Sequence, residues 1–107
     1  LFSLIDSRNM LDSEVYKRAN IDKRLFSKIR CDSNYRPSKD TVIALCIALK
    51  LNVEESNKLL NSIGAIFSCS LFRDIVIKAC IEAELYDIDD VNLILLEKGL
   101  KMLSSYK

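Results

Sequence analysis

Between residues 12 and 49 the apolar positions recur at helical intervals, with breaks at two places. Val15, Ala19, Ile21, either Leu25 or Phe26, and Ile29 line one side of two short helices, and Asn20 stands at the break between them. Asparagine tolerates left-handed backbone better than most residues, so the spacing predicts a tight turn there. Asp22 is placed to cap the second of these helices, which runs to Ile29 or Arg30. A polar loop over 32–37 leads to Ser38, the expected cap of a helix over 39–50 whose inner stripe is Val42, Leu45, Cys46 and Leu49.

The same pattern extends in both directions. Residues 1–8 carry Leu1, Leu4 and Ile5 at helical spacing, and Asp12 is placed to cap the helix that reaches Ala19. Asn52 and Glu55 have the spacing of a capping box and open a helix that stops at Gly64. Ser70 is the expected start of the next, with Phe72, Ile75, Val76, Ala79, Cys80 and Ala83 as a continuous inner stripe. Asp87 and Asp90 begin a last helix that ends near Gly99. No strand pattern competes, so the expected fold is all-α. Residues 1–64 form a helix-turn-helix unit of about five helices, and residues 65–107 form two C-terminal helices packed on it as one compact domain.

Composition narrows this picture. A chain of 107 residues, half of them apolar, suffices for one packed core. Two Gly and one Pro leave little material for β-turns. The first residue is Leu, which points to a fragment with a clipped opening helix. No apolar run approaches the roughly 20 residues of a membrane span, and no signal peptide is evident. Four cysteines (31, 46, 69 and 80) stand without a Cys-x-x-Cys pair and without any histidine, which argues against zinc and for reduced thiols in a cytoplasmic protein.

The net charge of +1 conceals an asymmetry: residues 1–50 hold ten Lys or Arg against six acids, and residues 51–107 hold six against nine. Between Lys17 and Arg30 stand six cations and a single acid, Asp22. The front half suits a polyanion and the back half does not. Without His, a Ser or Cys nucleophile lacks its usual base. Glu84, Asp87, Asp89 and Asp90 cluster but lack EF-hand spacing, Asp87 and Asp90 read as helix-capping acids, and no glycine-rich phosphate loop occurs. The expectation is no enzyme, no metal and no cofactor.

Residues 12–55 resemble the helix-turn-helix of the Cro and phage-repressor superfamily, the XRE family. The matching residues are Val15, Ala19-Asn20-Ile21, Phe26-Ser27-Lys28-Ile29, Arg36-Pro37-Ser38, Thr41-Val42, Leu45, Ala48-Leu49, Leu51 and Val53-Glu54-Glu55. The resemblance implies a lambda-repressor-like bundle in a bacterial or phage transcription regulator that binds double-stranded DNA. Its recognition helix spans about 22–30, and two copies sit on half-sites one helical turn apart. Carried over residue by residue, the DNA-contacting positions are Asp22, Lys23, Arg24, Ser27 and Lys28; by their chemistry Arg24 or Lys28 suits guanine, and Arg36 and Lys39 are placed to reach phosphates.

Three positions depart from that pattern. Asp22 stands where a phosphate-touching Ser, Thr or Asn is common, Tyr16 where a small Ala is favoured, and Leu25 where a polar residue is commoner. A second reading therefore stays open: a helical adaptor or dimerisation module on a helix-turn-helix scaffold that does not bind DNA. Its surface is the apolar strip Ile43, Ala44 and Ile47, together with a second line, Ile77, Ile81 and Leu85; these two lines either cover one another or meet another copy or protein. Residues 85–92 also resemble a tail of bacterial helix-turn-helix proteins, some joined to an ADP-ribose-binding macro domain.

Overall fold

The computed structural model describes residues 12–32, 35 and 37–103. Among them the chain forms six α-helices and no strand: α1 (Asp12–Arg18), α2 (Lys23–Cys31), α3 (Lys39–Ala48), α4 (Val53–Asn61), α5 (Phe72–Glu82) and α6 (Ile88–Glu97). The helix expected over residues 1–8 lies outside the described residues, as does Arg36.

Most helix starts follow from their capping residues. The Asp22 carboxylate accepts from Arg24 N at 3.2 Å, and Ser38 Oγ accepts from Thr41 N at 3.2 Å. Asn52 and Glu55 close a reciprocal box, with Glu55 N donating to Asn52 Oδ1 at 2.8 Å and Asn52 N to Glu55 Oε1 at 3.1 Å. Asp87 accepts from Asp89 N and Asp90 N. The start of α5 departs from expectation. It begins after Leu71, with no side-chain cap from Ser70, and Asp74 in its first turn instead reaches back to accept from Ser68 N at 2.7 Å.

Five of these six helices stop by one device. After α1, α3, α4, α5 and α6 a residue takes positive φ: Asn20, Lys50, Gly64, Glu84 and Gly99. The next residue is apolar in every case, and its amide returns to the carbonyl five positions back: Ile21 to Tyr16, Leu51 to Cys46, Ala65 to Leu60, Leu85 to Cys80 and Leu100 to Leu95, at 2.8–3.0 Å. This is the Schellman motif, which satisfies the orphan carbonyls and turns the chain inward on an apolar side chain. Lys50 and Glu84 adopt the left-handed region without the freedom that Gly has there.

Helix α3 is the centre of the core. Every residue from Val42 to Leu49 is buried, so no face of the helix meets water there. It packs against α1, α4 and α6. A single apolar cluster runs from Val15 to Leu103. This corrects the reading of Ile43, Ala44, Ile47, Ile77 and Ile81 as an interaction surface: all five lie inside the molecule, at 2% exposure or less. The two apolar lines are covered within the chain, because a helix apolar all round must be enclosed.

The stripe expected to face inward on α5 is also corrected. Val76 and Cys80 are buried, but Phe72, Ile75, Ala79 and Ala83 are exposed, and Ile77 and Ile81 point inward in their place. Asp74 sets this rotation. Its side chain is 3% exposed, and Lys39 Nζ donates to it at 2.5 Å. The neighbouring pair crosses it, with the Arg73 guanidinium donating to both carboxylate oxygens of Asp40 at 2.8 and 3.1 Å. Turning the Phe72 stripe inward would break both pairs.

Arg73 also donates to the carbonyls of Lys101 and Met102 at 2.8 and 3.1 Å, and the buried Asn92 Oδ1 accepts from Leu103 N at 2.8 Å. The segment after α6 is thereby bound to the starts of α3 and α5.

The helix ends and the core each yield a measurable outcome. Glu84→Gly and Lys50→Gly each relieve left-handed strain and raise stability by up to about 1 kcal/mol, net of the looser unfolded chain. Thermal unfolding checks this, and a lower midpoint for both variants contradicts it. Burial pushes the Cys46 thiol from its ordinary 9.0 up to about 11, against a smaller opposing effect of the Ser56 hydroxyl, which faces it without completing a full hydrogen bond. A folded pKa above the unfolded one means that the neutral thiol's contribution is complete below pH 9 and is lost as pH rises toward 11. Across that window the wild type should lose about 2–3 kcal/mol relative to Cys46→Ala, measured by urea unfolding at each pH. Parallel pH profiles for the two proteins would contradict this.

Candidate nucleic-acid interface

The α1–turn–α2 unit is assembled from residues close in sequence. Val15, Ala19, Ile21 and Phe26 are buried, and Asn20 makes the turn at φ 59°. Of the two residues offered for the inner position, Phe26 takes it and Leu25 is half-buried. Tyr16 fills the contact between the helices, its ring 5.7 Å from that of Phe26 and tilted by 52°. An aromatic pair at this offset contributes beyond its buried area. Tyr16 is thus accommodated as half-buried packing between α1 and α2.

With Phe26 inward, Lys23, Arg24, Ser27 and Lys28 are all exposed along α2. They are not equally available. The Lys28 ammonium sits 4.8 Å from the ring centroid of Tyr35, where the ring face attracts it. Lys39, expected to reach phosphate, is engaged with the buried Asp74. A cation neutralising a buried carboxylate leaves it only at the cost of an uncompensated charge, so Lys39 is less available than the exposed cations of α2. Arg36 lies outside the described residues. Behind α2, Arg18 pairs with Glu14 at 3.9 Å, a spacing that contributes little at such exposure.

A groove of about 400 Å³ opens beside the turn. It is lined by Asn20, Asp22 and Leu25 of the turn and α2, by Ser38 and Thr41 at the start of α3, and by Lys101 and Met102 after α6. The carboxylate of Asp40, which also lines it, is neutralised by Arg73. The contribution of the segment after α6 is absent from the sequence reading. Its only trace in the sequence is the repeated order cation–acid in Lys39-Asp40 and Arg73-Asp74, whose members pair crosswise over 33 and 35 residues.

Two other features bear on chemistry. Among the described residues no group of three or more acid or thiol side chains could hold a metal, and no helix is long and apolar enough to cross a membrane. Cys31 and Cys69 are exposed, whereas Cys46 and Cys80 are core residues whose thiols burial pushes up. Comparison of the chain with family models, with curated proteins and with solved structures returned no match.

Proposed function

We propose that this chain is a DNA-binding transcriptional regulator of helix-turn-helix type, with α2 as the recognition helix and a lambda-repressor-like arrangement around it. One observation carries the reading: α2 buries Phe26 against α1 while presenting Lys23, Arg24, Ser27 and Lys28 outward, with no acid within the helix. A short cationic helix following a tight left-handed turn suits insertion into the major groove, where Arg or Lys reads guanine O6 and N7. Ser27 is compatible with either base type.

Retention on mixed-sequence duplex DNA at low salt is the first test, and its absence in the wild type removes the regulator reading. Lys23→Ala combined with Arg24→Ala should abolish retention and lower the salt slope by about one unit for each phosphate no longer neutralised. Lys28→Ala alone should weaken binding less than Arg24→Ala alone, because its ammonium is already held over Tyr35. Equal weakening at both positions would contradict that ranking.

A second reading has its own observation. Leu71, Phe72 and Ile75 at the start of α5 and Leu93 and Leu96 on α6 are each about half exposed, between 47% and 55%. Lys98 Nζ lies 6.0 Å from the Phe72 ring, which brings the end of α6 beside the start of α5. These side chains suit an isologous contact with a second copy of the chain, the arrangement that two-fold half-sites require. Ile75→Asp or Leu96→Asp should then give a monomer with an unchanged melting point, seen by sedimentation equilibrium. A wild type that stays monomeric at high concentration removes this reading and leaves the first untouched.

A further inference from the structure

We infer that Lys101 is a phosphate-contacting residue of the nucleic-acid face, placed there by Arg73, so that the segment after α6 belongs to the interface. The inference rests on the DNA-binding reading above. Lys101 lines the groove that Asn20 and Asp22 of the turn and Ser38 and Thr41 at the start of α3 also line. Its side chain is exposed, and no ion pair holds it among the described residues.

The segment has the rigidity that a binding wall needs. Arg73 donates to the Lys101 and Met102 carbonyls while forked onto Asp40, and Leu103 is buried with its amide on Asn92. Charge-assisted and bidentate bonds of this kind are the stronger and more directional ones. A strap meant to swing away would not be fastened at three consecutive residues. Arg73 is a positioning residue: its guanidinium is occupied by Asp40 and two carbonyls, whereas the Lys101 ammonium is exposed in the groove.

Electrostatics gives Lys101 its role. Asp22 opens α2 with a carboxylate that repels phosphate, the most unfavourable feature of the reading face. Lys101 lines the same groove as Asp22, so its ammonium adds positive potential where that carboxylate would repel phosphate. With Asp40 neutralised by Arg73, Lys101 is the cation that the described residues place in the groove, and it can take a backbone phosphate as α2 enters the major groove.

The test uses the full chain and a short mixed-sequence duplex, titrated by fluorescence anisotropy across a salt series. Lys101→Ala should weaken binding roughly three- to tenfold and reduce the salt slope by about one unit, with the melting point unchanged, and Lys101→Arg should restore both. Arg73→Gln should reproduce the reduced slope with a lowered melting point, because it releases the segment that presents Lys101. If wild type binds and Lys101→Ala leaves affinity and slope unchanged, Lys101 does not touch phosphate and the regulator reading stands, with Lys23→Ala/Arg24→Ala as its independent check. If wild type shows no retention at low salt, both fall together.

Discussion

Helix α3 has no polar face after its first turn, and the rest of the molecule is organised by the need to enclose it. Eight consecutive buried residues, Val42 to Leu49, have to be covered from every direction, which one neighbouring helix cannot do. Helix α1 closes one side, α4 a second and α6 a third, and the crossed ion pairs tie its first turn to α5. The last helices are therefore part of the core and not an appendage. Removing them would leave Ile43, Ile47 and their neighbours facing water, so α2 and its cations depend on residues more than 60 positions away for a stable base.

That dependence separates what was legible in the sequence from what was not. The α1–turn–α2 unit, the caps at Asp22, Ser38 and Asp87, and the Asn52–Glu55 box are encoded within a few residues and emerge from local spacing alone. The left-handed turns at Lys50 and Glu84 were not legible, because neither residue type favours that conformation and only the tertiary fold imposes it. The rotation of α5 was misread for a related reason. Its two apolar stripes are nearly equivalent as patterns, and the choice between them is made by Asp74 finding Lys39, a pairing across 35 residues.

The candidate site divides in the same way. Outward placement of Lys23, Arg24 and Ser27 follows from helical geometry once Phe26 is inside. Whether each cation is free is a question of what lies nearby in space. Lys39 and Lys28 look equivalent to Arg24 in sequence, yet Asp74 engages one and Tyr35 attracts the other. A count of basic residues thus overstates the charge available to a polyanion. The compensating cation, Lys101, comes from the acidic half of the chain.

The repeated helix ending at Asn20, Lys50, Gly64, Glu84 and Gly99 bears on how the chain reaches this state. Each stop is complete within six residues, so helix boundaries form without waiting for distant partners. Most of the principal helix packings, α1–α2, α3–α4, α4–α5 and α5–α6, join neighbours in the chain. A topology so dominated by short-range packing belongs to the fast end of folding rates, on the order of microseconds to milliseconds. The slower search is for the few long closures, chiefly bringing α6 onto α3 and residues 101–103 onto Arg73. The same closures complete the groove beside α2, so the groove exists only once the long-range packing is in place.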